Sequence, residues 1–179
     1  CPSHGPCLVE HLQEAMTLYR EWSTPVKKEK RLAAVLYASA YGCTAKLANA
    51  AADELRKDER LDVKLVDVVN TPLSESAALA NEADILMIGS CTINRDAPKI
   101  IWDVLASVDA LNTEGRLAGA FGSYGWSGEA VDMIRSRMEH LKFTFIGQGV
   151  KANFMPGCEN FDKIREYARC LAFKMSSVK

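Results

Sequence analysis

Three short polar segments of the chain carry side chains that could bind a ligand. The first runs directly into a helical pattern and consists of small and hydroxyl-bearing residues, namely Ser39, Ala40, Tyr41, Gly42, Cys43 and Thr44. Amide groups at a helix start, together with the hydroxyls of Ser39 and Thr44, could hold a phosphate without an arginine. The competing interpretation is an ordinary strand-to-helix turn with Thr44 as its N-cap.

The second polar segment precedes Pro98, which is placed to start another helix. Its candidate binding residues are Ser90, Cys91, Thr92, Ile93 and Asn94. Such a loop could hydrogen-bond to the edge of a flat ring. Alternatively, its Ser, Thr and Asn side chains only satisfy local backbone groups.

The third polar segment places two large aromatic residues among small ones: Ser123, Tyr124, Gly125, Trp126, Ser127 and Gly128. Tyr124 or Trp126 could stack on a planar ligand. The alternative is a Trp ring folded back onto the core, which the small neighbours would cover poorly.

A parallel sheet with helices on both faces would bring these segments together. Short apolar runs predict strands at residues 32–38, 63–68, 84–90, 116–124 and 149–154. Amphipathic patterns predict helices at residues 44–57, 74–82, 98–107, 127–141 and 160–175. Alternating strands and helices favour an α/β fold with a doubly wound five-stranded sheet in the order 2-1-3-4-5. In that order the three segments follow strands 1, 3 and 4 at the carboxyl edge.

Flavin mononucleotide (FMN) requires groups that bind its phosphate, groups that hydrogen-bond to its ring edge and an aromatic side chain that stacks on the ring. The three segments would supply these features on neighbouring strand ends. The chain lacks G-x-G-x-x-G and the P-loop motif, which disfavours a dinucleotide fold or an NTPase.

The formal net charge of -1 gives no electrostatic signature of nucleic-acid or membrane binding. The six cysteines form no C-x-x-C pair, which suits a reducing compartment. We expect the cytoplasm, or a plastid stroma if the source is a photosynthetic eukaryote.

Residues 1–30 differ from the rest in composition. The segment CPSHGP is typical of turns and precedes a helix predicted at residues 7–22. The charged segment STPVKKEKR follows that helix. One face of this helix is an apolar stripe, which must pack against another surface of the protein or of a partner. The stripe consists of Leu8, Leu12, Ala15, Tyr19 and Trp22.

The segments YASAYGCTAKLA, GSCTINRDAP and especially AFGSYGWSGEAV resemble the C-terminal flavodoxin-like domain of flavodiiron proteins, also called A-type flavoproteins. The resemblance covers about residues 32–175. It implies that residues 31–179 form a flavodoxin-like domain. Residues 1–30 would be the linker, with its helix, from a preceding metallo-β-lactamase-like domain.

The resemblance also implies a function. Residues 39–44 would bind the FMN phosphate, residues 90–94 would meet the edge of the isoalloxazine ring, and residues 123–128 would flank it with Trp126 alongside. In this family FMN accepts electrons from a reductase or a rubredoxin and passes them to a di-iron centre that reduces O2 or NO. The flavin of one subunit faces the metal of another, so the parent protein would be a homo-oligomer.

Two positions depart from the family pattern. Cys43 stands where the family usually has Asn, and Cys91 where it usually has Pro, which predicts a more mobile ring-side loop. The alternative function is therefore a flavodoxin-like domain with weakened or lost FMN binding that holds subunits together or senses redox state through these thiols. His4 resembles the last iron ligand of the metal domain, but the remaining ligands are missing, so we predict no metal site and no catalytic residue in this chain.

Overall fold

A six-stranded sheet lies at the centre of the computed structural model, which describes residue 7 and residues 9–24 and 29–175. Its strands are β1 (Arg31–Ala38), β2 (Leu61–Asp67), β3 (Ile85–Cys91), β4 (Leu117–Tyr124), β5 (Thr144–Phe145) and β6 (Val150–Asn153). The strand order is β2-β1-β3-β4-β5, and β6 also pairs with β4. All of these pairings are parallel. The predicted 2-1-3-4-5 order is confirmed.

Helices cover both faces of the sheet. They are α1 (Leu12–Ser23), α2 (Cys43–Leu55), α3 (Leu73–Glu82), α4 (Lys99–Ala106), α5 (Glu129–His140) and α6 (Cys158–Met175). The core residues of α2 and α6 cluster on one face, and those of α3, α4 and α5 on the other. The doubly wound architecture is therefore confirmed.

The central strands alternate their side chains between the two helical layers. In β1, Val35 packs in the cluster of α2 and α6, and Leu36 in the cluster of α3, α4 and α5. In β3, every residue is buried. Burial on both faces explains why these strands are continuous apolar runs in the sequence rather than alternating ones.

The fifth strand differs from the prediction of one strand at residues 149–154. Two short strands share this position: β5 pairs with Leu117 and Ala118, and β6 pairs with the last residues of β4. The break between them contains Gly147 and Gly149, whose φ angles of 62° and 79° interrupt the extended backbone. The Tyr167 hydroxyl donates a hydrogen bond to the Ile146 carbonyl at 2.6 Å in this break.

Helix α1 begins later than the predicted residue 7. His11, at its N-cap position, adopts a left-handed φ of 55°. No residue of α1 is buried, and Trp22 is 71% exposed. The predicted apolar stripe therefore has no cover among the described residues, and its first member, Leu8, lies outside them.

The carboxyl ends of β3 and β4 approach too closely for a side chain at Gly122. Gly122 is opposite Ser90 in the parallel register. A Cβ atom added at Gly122 would overlap the Ser90 carbonyl oxygen and lie 3.3 Å from a methyl group of Val131. The absence of a side chain here lets two of the three candidate loops leave the sheet side by side.

We expect Gly122→Ala to lower the free energy of unfolding by about 1–3 kcal/mol, because the backbone of a central strand must move to admit the methyl group. Gly157→Ala is the control, since a Cβ atom there meets nothing within 4 Å. The control should change stability by less than about 1 kcal/mol. Urea unfolding monitored by circular dichroism measures both values, and equal losses would contradict the proposed close approach.

Candidate functional site

One cavity of about 650 Å³ opens at the carboxyl edge of the sheet, between the loops that follow β1, β3 and β4. All three predicted segments contribute to its wall. The predicted residues that line it are Ala40, Tyr41, Cys43, Cys91, Thr92, Ile93, Asn94, Ser123, Tyr124, Gly125, Trp126 and Ser127. The three segments that the sequence places on neighbouring strand ends thus face a common space.

The remaining candidates, Ser39, Gly42, Thr44, Ser90 and Gly128, do not line this cavity. Ser90 is fully buried, and its hydroxyl donates to the Cys91 carbonyl at 2.8 Å. Gly128 lies beside the Tyr124 ring, where an added Cβ atom would be 2.8 Å from the ring carbon Cδ1. Ser90 and Gly128 therefore contact residues of the cavity wall without lining the cavity themselves.

The loop after β1 ends at the start of α2. Gly42 occupies the N-cap position with a φ of 77° and has no side chain to accept a hydrogen bond from the helix. The Ser39 hydroxyl accepts from the Ala45 amide at 3.2 Å. The other first-turn amides are thus available to an anion, which the helix dipole also favours.

The Thr44 hydroxyl, which was predicted to bind the phosphate, bonds to another side chain of the protein. It is buried and lies 2.8 Å from the hydroxyl of Ser123. This bond joins the first turn of α2 to the end of β4. Thr44 therefore fixes the relative position of two cavity loops.

The loop after β3 folds into a tight two-residue turn. Ile93 and Asp96 exchange backbone hydrogen bonds of 2.9 and 3.0 Å, and the residues between them, Asn94 and Arg95, have φ angles of 52° and 62°. The carboxylate of Asp96 accepts hydrogen bonds from the Ala97 amide at 2.6 Å and the Trp102 indole at 3.0 Å. These hydrogen bonds define the shape of the turn.

The loop after β4 presents Trp126 to solvent. Its side chain is 95% exposed, whereas Tyr124 is half-buried. The alternative in which Trp126 folds back onto the core is therefore wrong. An exposed indole at the rim of an apolar cavity is free to stack on a planar guest.

Three further residues line the cavity that the sequence analysis missed: Arg95, Phe154 and Met155. The Phe154 amide donates to the Tyr124 carbonyl at 2.7 Å, and Lys46 Nζ lies 3.1 Å from Met155 Sδ. Phe154 and Met155 follow β6 and so reach the same edge as the other loops. In the sequence, Phe154 is the last residue of the strand predicted at residues 149–154 and Met155 directly follows it, so neither residue was a candidate for the site.

Two thiols, Cys43 and Cys91, face the cavity as free cysteines. Cys91 is buried, and burial raises the pKa of its thiol. A raised pKa keeps Cys91 protonated at neutral pH, which makes it a poor nucleophile.

No metal-binding group is found among residues 9–24 and 29–175. They contain no cluster of three or more His, Cys, Asp or Glu residues placed to hold an ion. His4 lies outside this range. No helix of the described chain is long and apolar enough to cross a bilayer.

Comparison with known proteins agrees with this geometry. The flavodoxin family model matches residues 35–167. A type A flavoprotein of Rhodobacter capsulatus is 34% identical over 175 residues, which cover 96% of this chain and 40% of the relative. A flavo-diiron protein of Clostridium acetobutylicum is 32% identical over 173 residues, covering 95% of this chain and 43% of the relative.

Solved structures show the same fold. The flavodiiron core of a Synechocystis protein superposes with a TM-score of 0.75 at 28% identity, covering 99% of this chain and 44% of that one. Rubredoxin oxygen:oxidoreductase of Desulfovibrio gigas gives a TM-score of 0.79 at 23% identity, covering 92% of this chain and 40% of that one. The chain thus spans about two-fifths of the length of these relatives.

The resemblance to A-type flavoproteins is confirmed by these relatives, and the FMN cofactor that it implies is the cofactor of flavodoxins. The sheet order, the cavity at the ends of β1, β3 and β4, and the match over residues 35–167 lead to one assignment. The chain belongs to the flavodoxin family.

Proposed function

We propose that this chain is the FMN-binding electron-transfer domain of a flavodiiron-type oxidoreductase. The observation that carries the proposal is the single cavity to which three polar loops contribute. Each loop alone allows an ordinary structural explanation, but such explanations do not require the loops to face one space.

The cavity fits FMN in size and in chemistry. Small-molecule pockets typically have volumes of about 300–1,000 Å³, and this one has about 650 Å³. The loop after β1 offers amide groups and a helix start for the phosphate. Tyr41, Trp126 and Phe154 are exposed aromatic side chains on the cavity wall, suited to an isoalloxazine ring.

In this proposal the residues of the chain bind and orient the cofactor. The loop at residues 39–44 holds the phosphate end through its backbone amides, the lining residues 91–94 contact the ring edge, and the lining residues 123–127 flank the ring. Ser90 and Gly128 support these loops without lining the cavity. Bound FMN supplies reversible uptake and release of electrons, and the protein tunes it through hydrogen bonds and nearby charges. Exposure of the aromatic rim leaves the ring accessible to a redox partner.

The proposal also concerns a longer parent protein, of which this chain would be one domain. We infer that residues 1–30 connect to a metallo-β-lactamase-like domain whose di-iron centre accepts the electrons and reduces O2 or NO. A reductase or a rubredoxin would be the donor, in the cytoplasm or a plastid stroma. The exposed apolar residues of α1 are consistent with packing outside the flavodoxin-like domain, in a homo-oligomer or against the preceding domain.

The second candidate is a flavodoxin-like domain that binds no flavin and senses redox state through thiols. It is favoured by one observation, namely that Cys43 and Cys91 line the same cavity. The protonated, buried state of Cys91 weighs against ready oxidation.

We expect Trp126→Ala to weaken FMN binding about five- to fiftyfold, through lost stacking and lost apolar contact. Titration of the apoprotein with FMN, followed by flavin fluorescence, measures the dissociation constant. Trp22→Ala is the matched control because Trp22 is also an exposed indole but lies on α1, outside the cavity. Equal affinities of the two variants would contradict the stacking role.

We expect FMN to protect Cys43 and Cys91 from alkylation by N-ethylmaleimide. At a free FMN concentration ten times the dissociation constant, both rates should fall about tenfold, because only unoccupied protein reacts. Cys158 and Cys170 serve as internal controls, being exposed and outside the cavity.

Peptide mass spectrometry reports all four cysteines in one experiment. In both the presence and absence of FMN, Cys91 should react more slowly than Cys158, because it is buried and its pKa is raised. Bound flavin without protection at Cys43 and Cys91 would place FMN elsewhere. Failure to bind FMN at micromolar concentration would favour the second candidate.

A further inference from the structure

An ion pair joins a residue of the cavity wall to the start of a helix that is distant in sequence. Arg95 Nε, in the turn after β3, lies 2.9 Å from Glu129 Oε1, in the first turn of α5. The separation in sequence is 34 residues. Because α5 follows directly on the loop of Trp126, the pair joins the two loops proposed to contact the flavin ring.

Ser127, two residues earlier in the chain, also acts on the charge state of Glu129. Hydrogen bonding from Ser127, followed by that from Arg95, holds the pKa of the Glu129 carboxyl below its usual value. The carboxylate is therefore ionised at neutral pH. The two residues that lower this pKa, Ser127 and Arg95, both line the cavity, one on each of the two loops.

Arg95 itself adopts a backbone conformation that non-glycine residues seldom occupy. Its φ of 62° follows the 52° of Asn94, and such conformations persist only where the surroundings enforce them. The Ile93–Asp96 backbone bonds and the link to Glu129 together enforce this turn. The conformation directs Arg95 to the cavity wall.

We propose that Arg95 is a flavin-tuning residue whose positive charge is balanced and positioned by Glu129. This inference rests on the proposed FMN site. Arg95 would act on the ring through its charge, and Glu129 would be a positioning residue that acts through Arg95. The neutral pair sets the potential at the ring, and removing either partner leaves an unbalanced charge at the cavity wall or directly beside it.

The two partners are expected to have opposite effects on the cofactor. Reduction adds electron density to the flavin ring, so a nearby positive charge stabilises the reduced form and a negative charge destabilises it. Glu129→Gln leaves Arg95 unbalanced, and Arg95→Gln leaves Glu129 unbalanced. A purely structural contact would instead give both variants the same direction of change.

The test measures dissociation constants for oxidised and reduced FMN, the latter under anaerobic conditions. Relative to the unmodified chain, Glu129→Gln should favour reduced FMN by about three- to tenfold, and Arg95→Gln should disfavour it by a similar factor. A tenfold change in this ratio corresponds to about 30 mV for the two-electron couple. Arg95→Lys keeps the charge and should leave the ratio within about twofold.

Lys99 and Asp103 provide a matched control. Their ion pair has side-chain exposures of 85% and 32%, close to the 83% and 28% of Arg95 and Glu129, and neither residue lines the cavity. Lys99→Gln and Asp103→Asn should leave the ratio within about twofold. The double variant Arg95→Gln/Glu129→Gln should return toward the unmodified value, because it restores neutrality.

Shifts of Arg95→Gln and Glu129→Gln in the same direction, or ratios within twofold for both, would overturn this inference while leaving FMN binding intact. Failure of the unmodified chain to bind FMN would instead overturn the proposed function.

Discussion

The buried contact between the Thr44 and Ser123 hydroxyls is the interaction on which the cavity depends most directly. Thr44 is fully buried and Ser123 is 8% exposed at the cavity wall, and a buried hydroxyl without a partner costs about 1–3 kcal/mol. The Thr44 hydroxyl therefore requires Ser123. The same end of β4 accepts the Thr92 amide at 3.1 Å through the Ser123 carbonyl. Ser123 thus joins the loops after β1, β3 and β4, and the cavity wall is defined before any ligand enters.

The sequence predicts the architecture well because the relevant signals are strong and local. Strands such as β3 are buried on both faces and cannot be mistaken for amphipathic elements. The fifth strand was predicted only in part, since the two residues Thr144 and Phe145 are too few to form a recognisable strand pattern. Their pairing with Leu117 and Ala118 comes from β4, a tertiary constraint that no local pattern contains. The start of α1 was missed for a similar reason, because a left-handed His11 leaves no periodic signal.

For the site, the sequence indicates which loops converge but not which side chains face inward. Thr44 and Ser90 have the same chemistry as cavity-lining Ser127, yet both are buried and bonded within the protein. The direction of a side chain at a strand end depends on register and on neighbouring loops, which composition does not reveal. Phe154 and Met155 were missed because they belong to a fourth loop that carries no polar signature. In the sequence alone, apolar residues at a cavity rim cannot be distinguished from residues of the hydrophobic core.

Part of the backbone strain in this protein lies where a ligand would bind. Of the five non-glycine residues with positive φ among the described residues, Asn94, Arg95 and Phe154 line the cavity, whereas His11 and Lys142 do not. Such conformations cost of order 1–3 kcal/mol each and require compensating contacts. The backbone bonds between Ile93 and Asp96, and between Phe154 and Tyr124, supply them here. Because this cost is met in the folded chain itself, a guest need not order these loops on binding, and more of its contact energy contributes to affinity.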